Sequence, residues 1–171
     1  YRKVHVEGTR NVITAAEEAG VEHLVHMSAL GADPDAATEF LRTKGEAEKH
    51  VIESGLEYTI LRPSVIFGDG DEFVSGIRQA VRSPVLPLPG GGRNRFQPIQ
   101  VQDLADIISS TVESGCEEEI LELGGPEKLS MRDMVKQVAV AEGRKTFVVP
   151  IPMSLVFAGL AVADILPFLP F

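Results

Sequence analysis

Apolar positions in the first third of the chain follow two alternating periods. Val4, Val12, Ile13 and Ala16 recur at helical spacing, and Gly20 follows as a C-cap glycine. The next apolar run, His23–Ser28 (HLVHMS), is short and continuous, the profile of a buried strand. A turn-rich ALGADPDA stretch leads into Phe40, Lys44, Ala47 and Val51, again at helical spacing, until Gly55 stops them. Tyr58–Leu61 is β-rich and is expected to end at Arg62-Pro63, where proline withholds a ladder donor. Helix, strand, helix and strand therefore alternate, each about the length a crossover unit needs. Continuous apolar strands joined by helices belong to a parallel sheet covered on both faces, with right-handed crossovers. The expected fold class is α/β, a doubly wound parallel sheet.

The pattern then changes. Glu72–Arg82 reads as a helix, and Pro84–Gly92 (PVLPLPGGG) as a loop that its prolines and glycines keep irregular. Val101–Glu113 is a further helix, with Leu104, Ile107, Ile108 and Val112 as its apolar stripe. Glu119–Leu123 is a strand, Ser130 opens a helix with Asp133 placed for a capping box, and Thr146–Ile151 is a last short strand. The closing run, residues 151–171, reads as a helix over Met153–Leu166. Pro152 and Pro167 confine that helix to about 14 residues, or about 21 Å, short of a ~30 Å hydrocarbon layer. Asp164 adds a further cost at mid-bilayer. The run is expected to pack on its own domain or to offer an apolar face to a membrane surface or hydrophobic subunit.

Composition narrows the function classes. The chain has 171 residues, is 44% apolar and carries a formal net charge of −9, which argues against a nucleic-acid partner. Cys116 is the single cysteine, so no internal disulfide or cysteine-rich metal site is expected, and a reducing, cytoplasmic compartment follows. The opening YRKVHVEGTRNV has no apolar core run and reads as mid-helix, not as a signal peptide.

Three segments carry the candidate chemistry in order: a serine at a strand end (HLVHMSALGA), a lysine on a helix (FLRTKGEAE), and a strand closing in Arg-Pro (YTILRPSVIFG). Together they resemble the extended short-chain dehydrogenases, the family of nucleotide-sugar epimerases and NmrA-like regulators. The likeness is greatest to an atypical branch that includes the nucleotide-binding accessory subunit of respiratory complex I. VEGTRNVITAAEEAGV is similar to the helix before the serine strand, and FQPIQVQDLADII and LELGGPEKLSMRDMV to the family's substrate-side domain. The resemblance implies a Rossmann-like fold, here its second half, and an NAD or NADP cofactor. It also implies that the first three strands and the glycine-rich fingerprint lie upstream. Residues 1–70 would then close the cofactor-binding domain, and residues 71–171 would form a substrate-side domain interleaved with its sheet.

In the family, a tyrosine four residues before a lysine shares its helix face. The lysine holds the nicotinamide ribose and lowers the tyrosine's pKa, while the serine fixes the substrate oxygen. The match places Ser28 at the serine and Lys44 at the lysine, but Phe40 at the tyrosine. Pro63, Ser64, Val65 and Ile66 would cradle the carboxamide. Phenylalanine has no proton to give, so the resemblance implies a cofactor-binding protein with impaired standard catalysis. An active reductase, epimerase or dehydratase on a sugar, steroid or quinone-like substrate is the alternative, and an NmrA-like redox sensor a third.

The residues leave other readings open. Lys44 also has Glu48 one turn on, the spacing of a solvated helix pair. His5 stands where the family commonly has Asn, as a proton relay or a space-filling helix residue. His26 shares a strand face with Ser28, as a substitute proton donor or a hydrogen-bonded core histidine. Arg93 and Arg95 either meet an anionic substrate or sit on a mobile hairpin. Asp103 reads as a first-turn acid on the helix dipole.

Overall fold

A computed structural model describes residues 1–115 and 119–156. A π-helical turn, Lys3–Glu7, runs into α1 (Gly8–Glu18), followed by β1 (His23–Met27), α2 (Glu39–Ile52), β2 (Glu57–Pro63) and β3 (Ile66–Phe67). Next come α3 (Glu72–Ala80), β4 (Val85–Pro89), a short 3₁₀ turn at Gly90–Gly92, β5 (Arg95–Phe96) and β6 (Ile99–Gln100). The remaining elements are α4 (Val101–Ser114), β7 (Glu119–Leu123), β8 (Leu129–Ser130), α5 (Met131–Ala141) and β9 (Phe147–Ile151). They divide into two units: Tyr1–Gly68 with Pro98–Pro126, and Asp69–Gln97 with the chain from Glu127 onward. The chain leaves the first unit after Gly68. It returns to the first unit at Pro98 and adds a strand there.

The first unit holds a parallel sheet in the order β1-β2-β7, with Met27 beside Leu61 and Leu61 beside Leu121. This is the Rossmann-like architecture expected. β2 is central and the most deeply buried strand, with Thr59, Ile60, Leu61 and Pro63 all inside. Ile60 meets Ile13 of α1 and Val51 of α2, and Leu24, Leu56 and Tyr58 close around them. The helix before β1 is present, but Val4 and Val12 are 73% and 54% exposed; Val6, Ile13 and Ala16 form its buried stripe. A π turn advances five residues per hydrogen bond rather than four, which shifts the face set by the first turn. Gly20 closes α1 at φ +67°, where its N–H reaches the Glu17 carbonyl and the Val21 N–H reaches Ala16. That Schellman pairing needs the left-handed region glycine adopts without strain.

β2 ends at Pro63, as expected. Pro63 lacks an N–H, but its carbonyl accepts from Leu30 at 2.9 Å, and the Ser64 N–H donates to Leu123 at 2.8 Å. The ladder therefore continues around the missing donor.

The second unit packs α3 and α5 through Ile77, Val81, Met134, Val135 and Ala139. Asp71 caps α3, its side chain accepting from the Val74 N–H at 2.6 Å, and the expected Ser130–Asp133 capping box starts α5. The stretch expected to be irregular is a strand instead. β4 pairs in parallel with β9, Val85 beside Phe147 through Pro89 beside Ile151. Its leucines and prolines alternate: Leu86 and Leu88 turn to the core, while Pro87 and Pro89 face out. A strand with one partner tolerates prolines whose missing N–H would point to the open edge. The glycines that follow form a tight packed turn, with Gly91 and Gly92 buried, and Arg95 begins the antiparallel β5–β8 pair. β4 and β5 pair with different strands and so do not form a hairpin, and Arg93 and Arg95 are exposed.

Among the described residues no helix is long and apolar enough to cross a membrane. Cys116 and residues 157–171 lie outside the described residues, and with them most of the closing helix and its expected membrane or subunit contact.

One packing contact is exacting. A Cβ on Gly45 would lie 2.7 Å from the Asp33 Cα and 2.5 Å from the Pro34 nitrogen, both backbone. Gly45→Ala is expected to destabilise the protein by about 3 kcal/mol, since overpacking against backbone has no rotamer escape. Chemical denaturation of the two proteins measures it.

Candidate functional site

The site is built on α2 and the carboxyl end of β1. Thr38 starts α2 by accepting from the Leu41 N–H, with Glu39 in the first turn to complement the dipole. Thr43, Ala47, Glu48 and Val51 form the helix face turned inward, which leaves Phe40 and Lys44 along its margin.

Glu48 decides what Lys44 can do. Glu48 is 3% exposed, and its carboxylate needs a cation. Arg62 of β2 supplies one in a two-pronged contact, with Nε 2.9 Å from Oε1 and Nη2 2.6 Å from Oε2. This pairing raises the Arg62 pKa further, chiefly through the hydrogen bond to Glu48. The helix pair between Lys44 and Glu48 is therefore not made. The half-buried Lys44 Nζ instead donates to the Met27 carbonyl at 3.0 Å. Burial lowers its pKa, against the opposing pull of Glu48.

Met27 is the residue before Ser28, so lysine and serine meet at one strand end. The Ser28 N–H donates to Leu61 at 2.7 Å, while its Oγ is buried without a hydrogen-bond partner. A buried hydroxyl with no partner calls for one from outside the chain, a water or a ligand. Lys44 likewise uses one of its three N–H donors on Met27. Both residues thus keep polar capacity for a ligand with oxygen acceptors, and a ribose or a substrate carbonyl fits that requirement.

Phe40 lies one turn before Lys44 and is 39% exposed. Its ring meets Tyr1 and His5 edge-on, with centroids 5.7 and 5.5 Å apart, and Tyr1 lies 5.4 Å from His5. This aromatic cluster replaces the phenol expected of a tyrosine. On the far strand, Pro63 is buried and Ile66 pairs with Ile99. The Ser64 amide is already engaged by Leu123, and the Val65 carbonyl accepts from Ile99 at 2.9 Å. Of the residues expected to cradle a carboxamide, Ser64 therefore has no free amide.

Two histidines flank the site. His5 Nδ1 lies 2.9 Å from Thr43 Oγ1, so His5 is a hydrogen-bonded part of the cluster. His26 faces the helices, and its Nε2 is buried without a partner, unlike the bonded core histidine expected. Burial, then Lys44, pull its pKa down to about 4, opposed by Glu48. Spacing gave no sign of the Arg62–Glu48 pair or of Thr43. Both depend on contacts between elements.

A histidine held neutral in the folded state loses stability in acid. The unfolded chain takes the proton near pH 6.5, the native one near pH 4. The His26 contribution is therefore complete above about pH 6.5 and lost as pH falls toward 4, on the order of 3 kcal/mol in all. His26→Leu should flatten the fall in the urea midpoint between those limits; an unchanged slope would show that His26 is protonated in the native protein.

Comparison with known proteins places this geometry. Residues 2–114 match a family model described as NAD(P)H-binding. The mitochondrial NADH dehydrogenase (ubiquinone) 1 alpha subcomplex subunit 9 of Arabidopsis thaliana is 32% identical over 127 residues, covering 72% of this chain and 32% of that protein. An NAD(P)H azoreductase of Xenophilus azovorans is 29% identical over 144 residues, covering 84% of this chain and 49% of its own. The chain thus spans about a third to a half of these relatives' lengths. The crystal structure of Thermus thermophilus UDP-glucose 4-epimerase with NAD superposes with a TM-score of 0.69 at 22% identity, over 88% of this chain and 58% of that one. At that identity the likeness speaks for the fold. With most of its length under the family model, and its sheet that of the epimerases, the chain belongs to the NAD(P)H-binding family that the HLVHMS, FLRTK and RPSVIFG segments resemble.

Proposed function

We propose that this chain holds the nicotinamide-ribose end of NAD(P)(H) in a longer protein that binds the cofactor without the family's usual proton exchange. Lys44 would take the ribose oxygens, and Ser28 an oxygen of whatever lies opposite the ring. Val65 and Ile66, beyond the buried Pro63, would border the carboxamide. When bound, the cofactor supplies hydride; the chain supplies orientation and charge. A cationic Lys44 between the Met27 carbonyl and the ligand favours oxygen acceptors there.

The observation that carries this reading is Phe40. It stands one turn from Lys44, partly exposed and packed on two rings, with no oxygen to exchange a proton. A protein that keeps the lysine but not the phenol suits a binding, structural or assembly role. The relatives named as NADH dehydrogenase subunits favour such a role. On that reading the apolar 151–171 run would contact a hydrophobic subunit or the membrane surface, and the protein would be cytoplasmic and peripheral. A second reading, an active reductase, is favoured by the azoreductase relative, which covers more of this chain than the Arabidopsis subunit does.

Two variants of the full-length protein separate these. Lys44→Ala should weaken NADH binding about tenfold, in keeping with loss of a charge-assisted hydrogen bond; undiminished affinity would mean the ammonium does not face the cofactor. Phe40→Tyr should bring measurable NADH oxidation with a generic carbonyl or quinone acceptor, against none in the native protein. Turnover already present in the native protein would favour the reductase.

A further inference from the structure

The tautomer of His5 follows from the proton count at Thr43. The Thr43 hydroxyl has one hydrogen and lies 2.8 Å from the Glu39 carbonyl and 3.1 Å from the Phe40 carbonyl. Carbonyls only accept, so the hydroxyl proton goes to them. With the hydroxyl proton shared between those carbonyls, the 2.9 Å contact with His5 runs the other way, Nδ1 donating to Oγ1. A neutral imidazole with its hydrogen on Nδ1 has its lone pair on Nε2. No described group bonds that nitrogen.

The surroundings keep the ring neutral and fixed. Burial, then the charge of Lys44, hold the His5 pKa below the usual histidine value. The titratable and charged groups around it are Lys44 from α2, His26 from β1, and the phenol and terminal amino group of Tyr1, just before the π turn. Arg2 is turned to Glu46, 2.6 Å away. Tyr1 and Phe40 pack on the imidazole and limit its rotation. The result is an oriented acceptor nitrogen beside the one ring of the site that has no heteroatom.

We propose that His5 Nε2 is a cofactor-binding atom, accepting a hydrogen bond from a ribose hydroxyl of the dinucleotide at the place where Phe40 offers no oxygen. The inference rests on the placement of that ribose against Lys44. Lys44 donates to the diol and His5 accepts from it, so the pair reads both faces of a hydroxyl. Protonation of His5 would turn the acceptor into a donor and set a second cation beside Lys44.

The test is NADH binding, with NADPH in parallel, by the full-length protein between pH 5 and 8, together with long-range proton–nitrogen NMR of the imidazoles. His5→Phe should weaken binding about fivefold at pH 7.5, and His5→Gln, whose amide oxygen can accept, should restore it to within about twofold. Native affinity should fall as pH drops below the His5 pKa, while the glutamine variant stays level. NMR should find the His5 hydrogen on Nδ1, and Thr43→Val should move part of the population to Nε2. Unchanged affinity in His5→Phe, or an Nε2–H tautomer in the native protein, overturns the proposal. Lys44→Ala distinguishes the two failures. Weak binding there with a normal His5→Phe removes only the role of His5, whereas normal binding in both removes the ribose placement as well.

Discussion

A carboxylate buried between a helix and a sheet must have a cation, and the structure turns on which cation Glu48 receives. Arg62 reaches it from β2 with two parallel hydrogen bonds, a geometry that a guanidinium satisfies and an ammonium does not. Lys44, one turn away on the same helix, is thereby left to the Met27 carbonyl at the end of β1. Had Lys44 taken the carboxylate, its ammonium would point along α2 and Ser28 would stand alone. The same ion pair ties α2 to β2 and so fixes the height of the lysine above the strand end.

From that placement the electrostatics of the site follow. A cation held half-buried makes every neighbouring base harder to protonate, and both His5 and His26 are shifted down, with burial the larger cause in each. The site is thus one positive charge among neutral rings. Phe40 completes the pattern: where a phenol would take advantage of the nearby cation, the ring packs against Tyr1 and His5 instead.

Where expectation and structure differ, the physical reason is local chemistry overridden by pairing. Proline content made Pro84–Gly92 look irregular, yet alternation of Leu86 and Leu88 with Pro87 and Pro89 gives a strand once β9 covers its one usable edge. Pro63 ends β2 as expected, and its carbonyl still accepts from Leu30. Val4 and Val12 belong to the expected helical pattern but lie off its buried stripe of Val6, Ile13 and Ala16. For Pro84–Gly92, composition described the residues' tendency, and a partner distant in sequence changed the outcome.

Read alone, the sequence determined α1, β1, α2, β2, α4 and β7 of the first unit, though not its short β3 and β6, together with the parallel direction of the sheet and the positions of Ser28, Phe40 and Lys44. These rest on periodicity and short spacing, which a helix turn or strand pleat converts directly into a shared face. Only the tertiary structure decided the partner of Glu48, the return of residues 98–126 to the first unit, and the contact between His5 and Thr43. Arg62 lies 14 residues from Glu48, and His5 lies 38 from Thr43. Contacts over such separations depend on how one element is registered against another, and no local period encodes that.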